Sequence, residues 1–293
     1  MNKETKVFGS AWSAPIWMKT NHAFNGITKL NGAPGDKVHK GMLIFSNIMI
    51  FLSFIADIEM LIRVISEILT IAAWALYYVK YIEHMASMGI NIWALTSQNE
   101  PSMGLLVSSH WNANGFTPRH MKEWLQKDLI PALNSLSYAA PKPKLLLLDD
   151  QRIFMPKYTD YLLKNEDIRK NSDGVGIHWY WNQFSNVNVL NDFHEKYPEK
   201  IILSSEACIG SLINDKSDIE LGNPFGSVWH NGEQYAYDII ETLNHFTNGW
   251  IDWNLALDMT GGPNWADNKR CVNKVANPLV AQRDPRIALN IPF

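Results

Sequence analysis

Ile90-Asn91-Ile92-Trp93-Ala94-Leu95-Thr96-Ser97-Gln98-Asn99-Glu100-Pro101 changes character midway. Through Thr96 it is a short run of branched, aromatic and small residues, bounded by polar ones. A near-continuous apolar run of that length predicts a strand buried on both faces, as in a parallel sheet. From Ser97 it turns polar, and Pro101 halts regular structure. Five further runs share this form: Val7 to Trp12, Lys144 to Leu148, Gly174 to Trp179, Lys200 to Ser204 and Gly249 to Leu255. Most end on polar or aromatic residues, among them Asp149-Asp150-Gln151-Arg152, His178-Trp179-Tyr180 and Ser205-Glu206.

The segments between these runs predict helices. Thr117-Pro118 offers an N-cap with proline at the first turn, and Met121, Trp124, Leu125 and Leu129 then recur at helical spacing. Trp74 to Met88 and Gly232 to Phe246 carry similar patterns. Strands alternating with helices define an α/β protein of (β/α)8 TIM-barrel type, which keeps its chemistry at the C-terminal strand ends. Six strand candidates fall short of the eight that close such a barrel, so either two strands escape the pattern or the chain lacks them.

Composition narrows the function. With 46% hydrophobic residues, 19% charged and a net charge of −3, the 293 residues suit a large buried core and exclude disorder. No basic run appears that could neutralise a row of phosphates, so nucleic acid is excluded as a partner. The two cysteines, Cys208 and Cys271, match no zinc or redox spacing. The 12 tryptophans offer flat apolar faces that suit core packing or the faces of sugar rings. Met42 to Ala73 is strongly apolar, but Asp57, Glu59, Arg63 and Glu67 interrupt it. Its longest uncharged piece, Gly41 to Ala56, falls below the roughly 18 to 20 residues of a membrane-spanning helix. The start, Met1-Asn2-Lys3-Glu4, lacks a signal-peptide pattern, so the localisation of the product stays open on the sequence alone.

Two carboxylates stand out. Glu100 and Glu206 each follow an apolar strand directly and sit beside polar residues. On one barrel mouth such a pair could perform retaining glycoside hydrolysis, in which carboxyls about 5 to 5.5 Å apart divide the roles of nucleophile and acid/base. Spacing leaves open which does which, and each glutamate alone could be a structural strand end. His178 reads as a hydrogen-bonded wall residue, since no second histidine lies at ligand spacing. Of Asp149 and Asp150, which a regular strand points to opposite faces, one is expected to pair with Arg152. Ser204-Ser205 lacks the glycine-flanked elbow of a serine hydrolase.

Seven ordered motifs then carry a family resemblance: Ser10-Ala11-Trp12-Ser13-Ala14-Pro15 with Trp17-Met18-Lys19-Thr20-Asn21, Asn99-Glu100-Pro101-Ser102, Leu148-Asp149-Asp150-Gln151-Arg152, His178-Trp179-Tyr180, Ser205-Glu206-Ala207-Cys208, Asp252-Trp253-Asn254-Leu255-Ala256-Leu257 and Gly261-Gly262-Pro263-Asn264-Trp265. Together they resemble the lysosomal glucosylceramidases, the acid β-glucosidases of glycoside hydrolase family 30. The resemblance implies that Glu100 is the acid/base, Glu206 the nucleophile and Asn99 a hydrogen-bond partner of the sugar 2-hydroxyl. It places Trp12, Trp111, Tyr180, Trp253 and Asn264 around a glucose pocket, with His178 and Trp179 as further substrate-binding residues. It implies hydrolysis of glucosylceramide to glucose and ceramide without metal or organic cofactor. It further implies a lysosomal or secretory setting, a lipid surface, a saposin-type activator and anionic phospholipid.

Relative to that family, Val7 begins the third barrel strand. The expectation is therefore strands 3 to 8, without the accessory β-domain and without an acidic sugar-binding residue that follows the second strand. Residues 1–40 and 74–268 read as the partial catalytic domain, 41–73 as an apolar insertion of the kind a translated intron produces, and 269–293 as a divergent tail. Another β-glycosidase specificity of the same family, such as β-xylosidase, and an inactive fragment remain open alternatives.

Overall fold

The computed structural model describes residues 4–32, 34, 58–106, 111–136, 140–208 and 224–253. Asn264, Cys271, the Gly261–Trp265 motif and the 269–293 tail lie outside the described residues, as do 41–57 of the apolar insertion.

Strands and helices alternate in chain order. The strands are β1 (Val7–Gly9), β2 (Ile92–Thr96), β3 (Lys144–Gln151), β4 (Gly174–His178), β5 (Ile201–Glu206) and β6 (Gly249–Trp250). Each matches one of the six apolar runs, with shifted ends. β1 is short and releases Ser10 to Trp12 into a loop, whereas β3 and β5 run on into the acidic residues that follow their apolar cores. The helices that matter here are α1 (Ile58–Ser87), α2 (Met103–Leu106), α3 (Pro118–Trp124), α4 (Ile130–Asn134), α5 (Met155–Leu163), α6 (Glu166–Asn171), α7 (Asn188–Lys196) and α8 (Pro224–Asn244). α1 passes without a break through Trp74, where the helix was expected to begin. No helix among the described residues is long and apolar enough to cross a membrane.

The chain divides into two compact units. The first comprises Met1–Leu147 and Asp160–Asp173, and the second Leu148–Thr159 and Gly174–Phe293. In the first, β1 pairs in parallel with β2, and β2 with β3 in the register Ala94↔Lys144, Leu95↔Leu145, Thr96↔Leu146. Its core holds Trp74, Tyr78 and Ile82 of α1 with Trp124, Leu125, Leu129 and Leu133. Thr117 caps α3 as the sequence predicts, its Oγ1 accepting from His120 N at 3.2 Å. A π turn over Leu125–Leu129 then joins α3 to α4.

In the second unit β4, β5 and β6 pair in parallel, with Val175 opposite Ile202 and Leu203 opposite Gly249. All of β4 is buried, consistent with a strand covered on both faces. Its first residue must be glycine, because a Cβ on Gly174 would overlap the Ile201 carbonyl. These parallel strands and crossover helices are the elements of a (β/α) barrel, and the described residues supply six of its eight strands.

Candidate active site

In the second unit the chemistry gathers at the C-terminal ends of β4 and β5. His178 pairs in register with Glu206 across a local irregularity between Ile177 and His178. Glu206 is buried, and its Oε1 accepts a hydrogen bond of 2.8 Å from Tyr180 Oη. His178 Nε2 lies 3.1 Å from Asp149 Oδ1 and 4.0 Å from Glu206 Oε2. The same Asp149 oxygen accepts from Ser205 Oγ at 2.6 Å. Asp149 thereby joins the residue preceding Glu206 to the residue beside it, and fixes both β-strand ends.

Asp149 reaches that position through a break in the strand. Leu148 and Asp149 have φ of 67° and 52°, in the left-handed region that residues with a Cβ rarely occupy. The alternation of a regular strand fails there, so Asp149 and Asp150 are both 1% exposed. The acidic partner of Arg152 is Glu241 at 3.5 Å, in place of the aspartate expected from sequence, and its Nη2 donates to Asn182 O and Ser185 O. The broken strand explains the difference, because the side chains that follow it no longer keep the expected faces.

Aromatic residues line the same unit. Trp179 Nε1 donates to Cys208 O at 2.9 Å, and Trp179, Tyr235 and Trp250 pack with ring centroids 4.9 to 6.2 Å apart. Trp253 N donates to Ala207 O, which holds the chain after β6 beside the residue following Glu206. Beneath this cluster Asp238 accepts from Asn182 Nδ2 at 2.6 Å and from Trp250 Nε1 at 2.9 Å. Burial pushes the Asp238 carboxyl up from its ordinary value, against those two hydrogen bonds and the Arg152 charge. Burial likewise raises Asp252, opposed by hydrogen bonds from Trp253 N and Tyr235 Oη.

In the first unit Glu100 lies past the end of β2, 6% exposed and with φ of 39°. A strained residue before a proline fixes the carboxylate within a tight turn. Gln98, fully buried, holds this turn against the loop after β1: its Nε2 donates to Ala11 O at 2.6 Å and to Trp12 O at 3.0 Å. Asn99 N donates to Ala11 O, while Asn99 Oδ1 is buried and has no hydrogen-bond partner among the described residues. Trp12 and Trp111 are half-buried.

Of the site residues expected from sequence, Glu206, His178, Trp179, Tyr180 and Trp253 thus belong to the second unit, and Glu100, Asn99, Trp12 and Trp111 to the first. Asn264 lies outside the described residues. Sequence reading overlooked Gln98, whose only signal is an amide at the end of a buried strand, and the contact of Ser205 with Asp149.

A parallel α/β framework whose strand ends carry buried glutamates, amides and aromatic side chains is that of a (β/α)-barrel glycoside hydrolase. The glycosyl hydrolase family 30 TIM-barrel domain matches residues 1–67 and 67–283, and the chain belongs to that family. It is 34% identical over 268 residues to the lysosomal acid glucosylceramidase of Mus musculus, covering 91% of this chain and 44% of that protein. It is 33% identical over 263 residues to putative glucosylceramidase 4 of Caenorhabditis elegans, covering 90% of this chain and 43% of that protein. The chain therefore spans less than half the length of these curated relatives. Among solved structures, SrfJ from Salmonella typhimurium shares the fold with a TM-score of 0.66 at 22% identity, over 94% of this chain and 52% of that one.

Proposed function

We propose that the chain carries the catalytic centre of a retaining β-glucosidase that hydrolyses glucosylceramide to glucose and ceramide. The observation that carries this reading is the hydrogen bond from Tyr180 Oη to the buried carboxylate of Glu206 at 2.8 Å. A phenolic donor supports the anionic form that a nucleophile requires. In the first step a Glu206 oxygen bonds the anomeric carbon as the glycosidic bond breaks, and Glu100 gives its proton to the departing ceramide oxygen. Water then attacks the same carbon, Glu100 takes its proton, and the Glu206 carboxylate leaves. The unpartnered Asn99 Oδ1 suits a hydrogen bond from a sugar hydroxyl. Trp12, Trp111, Trp179, Tyr180 and Trp253 supply apolar faces for the ring, with His178 and Asn264 as further contacts. No metal or organic cofactor enters these steps.

The same reading places the enzyme at a lipid surface of the lysosome or secretory route, assisted by a saposin-type activator and anionic phospholipid. A cyclitol epoxide tests the chemistry. Covalent labelling at Glu206, lost in Glu206→Gln, is the expected result, and labelling that survives the substitution refutes the nucleophile assignment. Azide rescue of Glu100→Gln would support the acid/base role. Turnover of an aryl β-glucoside in preference to an aryl β-xyloside separates the glucosidase from a xylosidase, and absence of both turnover and labelling identifies an inactive fragment.

A further inference from the structure

In the first unit a cleft of about 860 Å³ borders the N-terminal ends of β1, β2 and β3, at the opposite end of these parallel strands from Glu100. That volume lies within the roughly 300 to 1,000 Å³ of small-ligand sites. Residues 4–6 before β1, 91–93 at the start of β2 and 141–144 at the start of β3 line it, with Lys170, Asn171 and Asp173 at the end of α6. A (β/α) barrel keeps its catalytic groups at the other end of its strands, so the glycosidase reading leaves these residues unexplained.

Lys6, Lys142, Lys144 and Lys170 line the cleft against two carboxylates, Glu4 and Asp173, and among the described residues no arginine joins them. Of the four lysines, Lys144 pairs with Asp173 Oδ1 at 3.3 Å. Lys6 Nζ instead lies 5.0 Å over the centre of the Trp93 ring, and Lys142 Nζ donates to the neutral Asn134 Oδ1 at 2.6 Å. Lys170 is exposed and has no ion-pair partner among the described residues. Positive charge therefore gathers here in a chain whose net charge is −3.

The backbone presents these ammoniums in a fixed arrangement. In Pro141-Lys142-Pro143-Lys144 the prolines fix φ and Pro143 is buried, so the alternation of an extended chain turns both lysines outward. Asp173 N donates to Leu145 O at 2.8 Å and Asp173 Oδ2 accepts from Leu145 N at 2.9 Å, which ties the end of α6 to β3. Asn134 Nδ2 donates to Asn171 Oδ1 at 3.3 Å and so joins the partner of Lys142 to the neighbour of Lys170. A lysine ammonium is a compact point charge with three donors, which suits a tetrahedral oxyanion, whereas a planar carboxylate is matched best by the fork of an arginine. The ammoniums also come from separate segments, which favours a chain of phosphates over a single one. We propose that this cleft binds a polyphosphate, free or as the tail of a nucleotide.

Isothermal titration of the full chain with inorganic tripolyphosphate at low ionic strength tests this, with ATP and citrate titrated in parallel. The wild type is expected to bind tripolyphosphate, and Lys142→Ala/Lys170→Ala to weaken it about five- to twentyfold, since each exposed charge contact is worth up to a few-fold. Lys157→Ala/Lys164→Ala removes two exposed lysines that do not line the cleft and should bind like the wild type. ATP binding more tightly than tripolyphosphate assigns the cleft to nucleotides, and binding equally or less tightly assigns it to free polyphosphate. Absence of binding, equal loss in both double variants, or a Lys142→Ala/Lys170→Ala chain that binds like the wild type overturns the proposal. Citrate, which carries its charge on carboxylates, should bind at least about fivefold more weakly, and citrate binding as tight as tripolyphosphate also overturns it.

Discussion

Tyr180 Oη and Glu206 Oε1 lie 2.8 Å apart, joining the residue two beyond the end of β4 to the last residue of β5. Tyr180→Phe keeps the ring and removes only the donor. With Glu206 as nucleophile, kcat/KM for an aryl β-glucoside should fall about ten- to a hundredfold, since a hydrogen bond to a charged group is worth about 1.5–3 kcal/mol. The rate of labelling by a cyclitol epoxide should fall in parallel. An unchanged rate of both would show that the Tyr180 hydrogen bond does not support the nucleophile.

Asp149 holds two partners with one oxygen, His178 Nε2 and Ser205 Oγ. Asp149→Ala leaves both polar groups buried without that acceptor, at an expected cost of about 2–4 kcal/mol of stability. Urea unfolding followed by near-ultraviolet dichroism measures it, and Ser205→Ala, which removes one donor and leaves the acceptor its histidine, should cost about 1 kcal/mol.

The strands were legible in the sequence because buried parallel strands are written as short apolar runs, and Ile92–Thr96 and Gly174–His178 lie within the predicted limits. Glu100 and Glu206 stood out for the same reason, each closing such a run. What sequence did not reveal depends on backbone geometry and on contacts distant in the chain. The left-handed turn at Leu148 and Asp149 has no glycine or asparagine to announce it, so Asp149 could not be aimed and Arg152 was given the wrong partner. Lys19 looks like an ordinary surface lysine in sequence, yet two oxygen acceptors hold it in the interior.

Asp238 makes stability depend on pH. Its pKa is raised by burial, so between the ordinary value of 3.8 and the raised one the folded state binds a proton that the unfolded state has released. Stability from this group is therefore complete below 3.8 and is lost as pH rises through the raised pKa. Asp252, raised for the same reason, acts in the same direction. Asp238→Asn should flatten the decline, seen as a smaller drop in Tm between acidic and neutral buffers than the wild type shows. A variant with the wild-type slope would show that this carboxyl does not set the pH response.

Lys19 works in the opposite sense at alkaline pH. Burial lowers its pKa from 10.5 to about 8, and its hydrogen bonds go to Ser13 Oγ and the Phe24 carbonyl. Between about pH 8 and 10.5 the unfolded state still holds the proton that the folded state has given up, so this group makes stability rise with pH across that window. Below about 8 the charged ammonium is present in both states and the full burial penalty applies. Lys19→Met removes the titrating group, and the difference in Tm between variant and wild type should shift in favour of the wild type as pH increases from 8 to 10.5. The same substitution takes the ammonium away from the Phe24 carbonyl and leaves it the bonds from Ala113 N and Ser13 Oγ, so the 20–27 backbone should show faster amide exchange at neutral pH, and protection equal to the wild type would mean that Lys19 does not hold this loop in place.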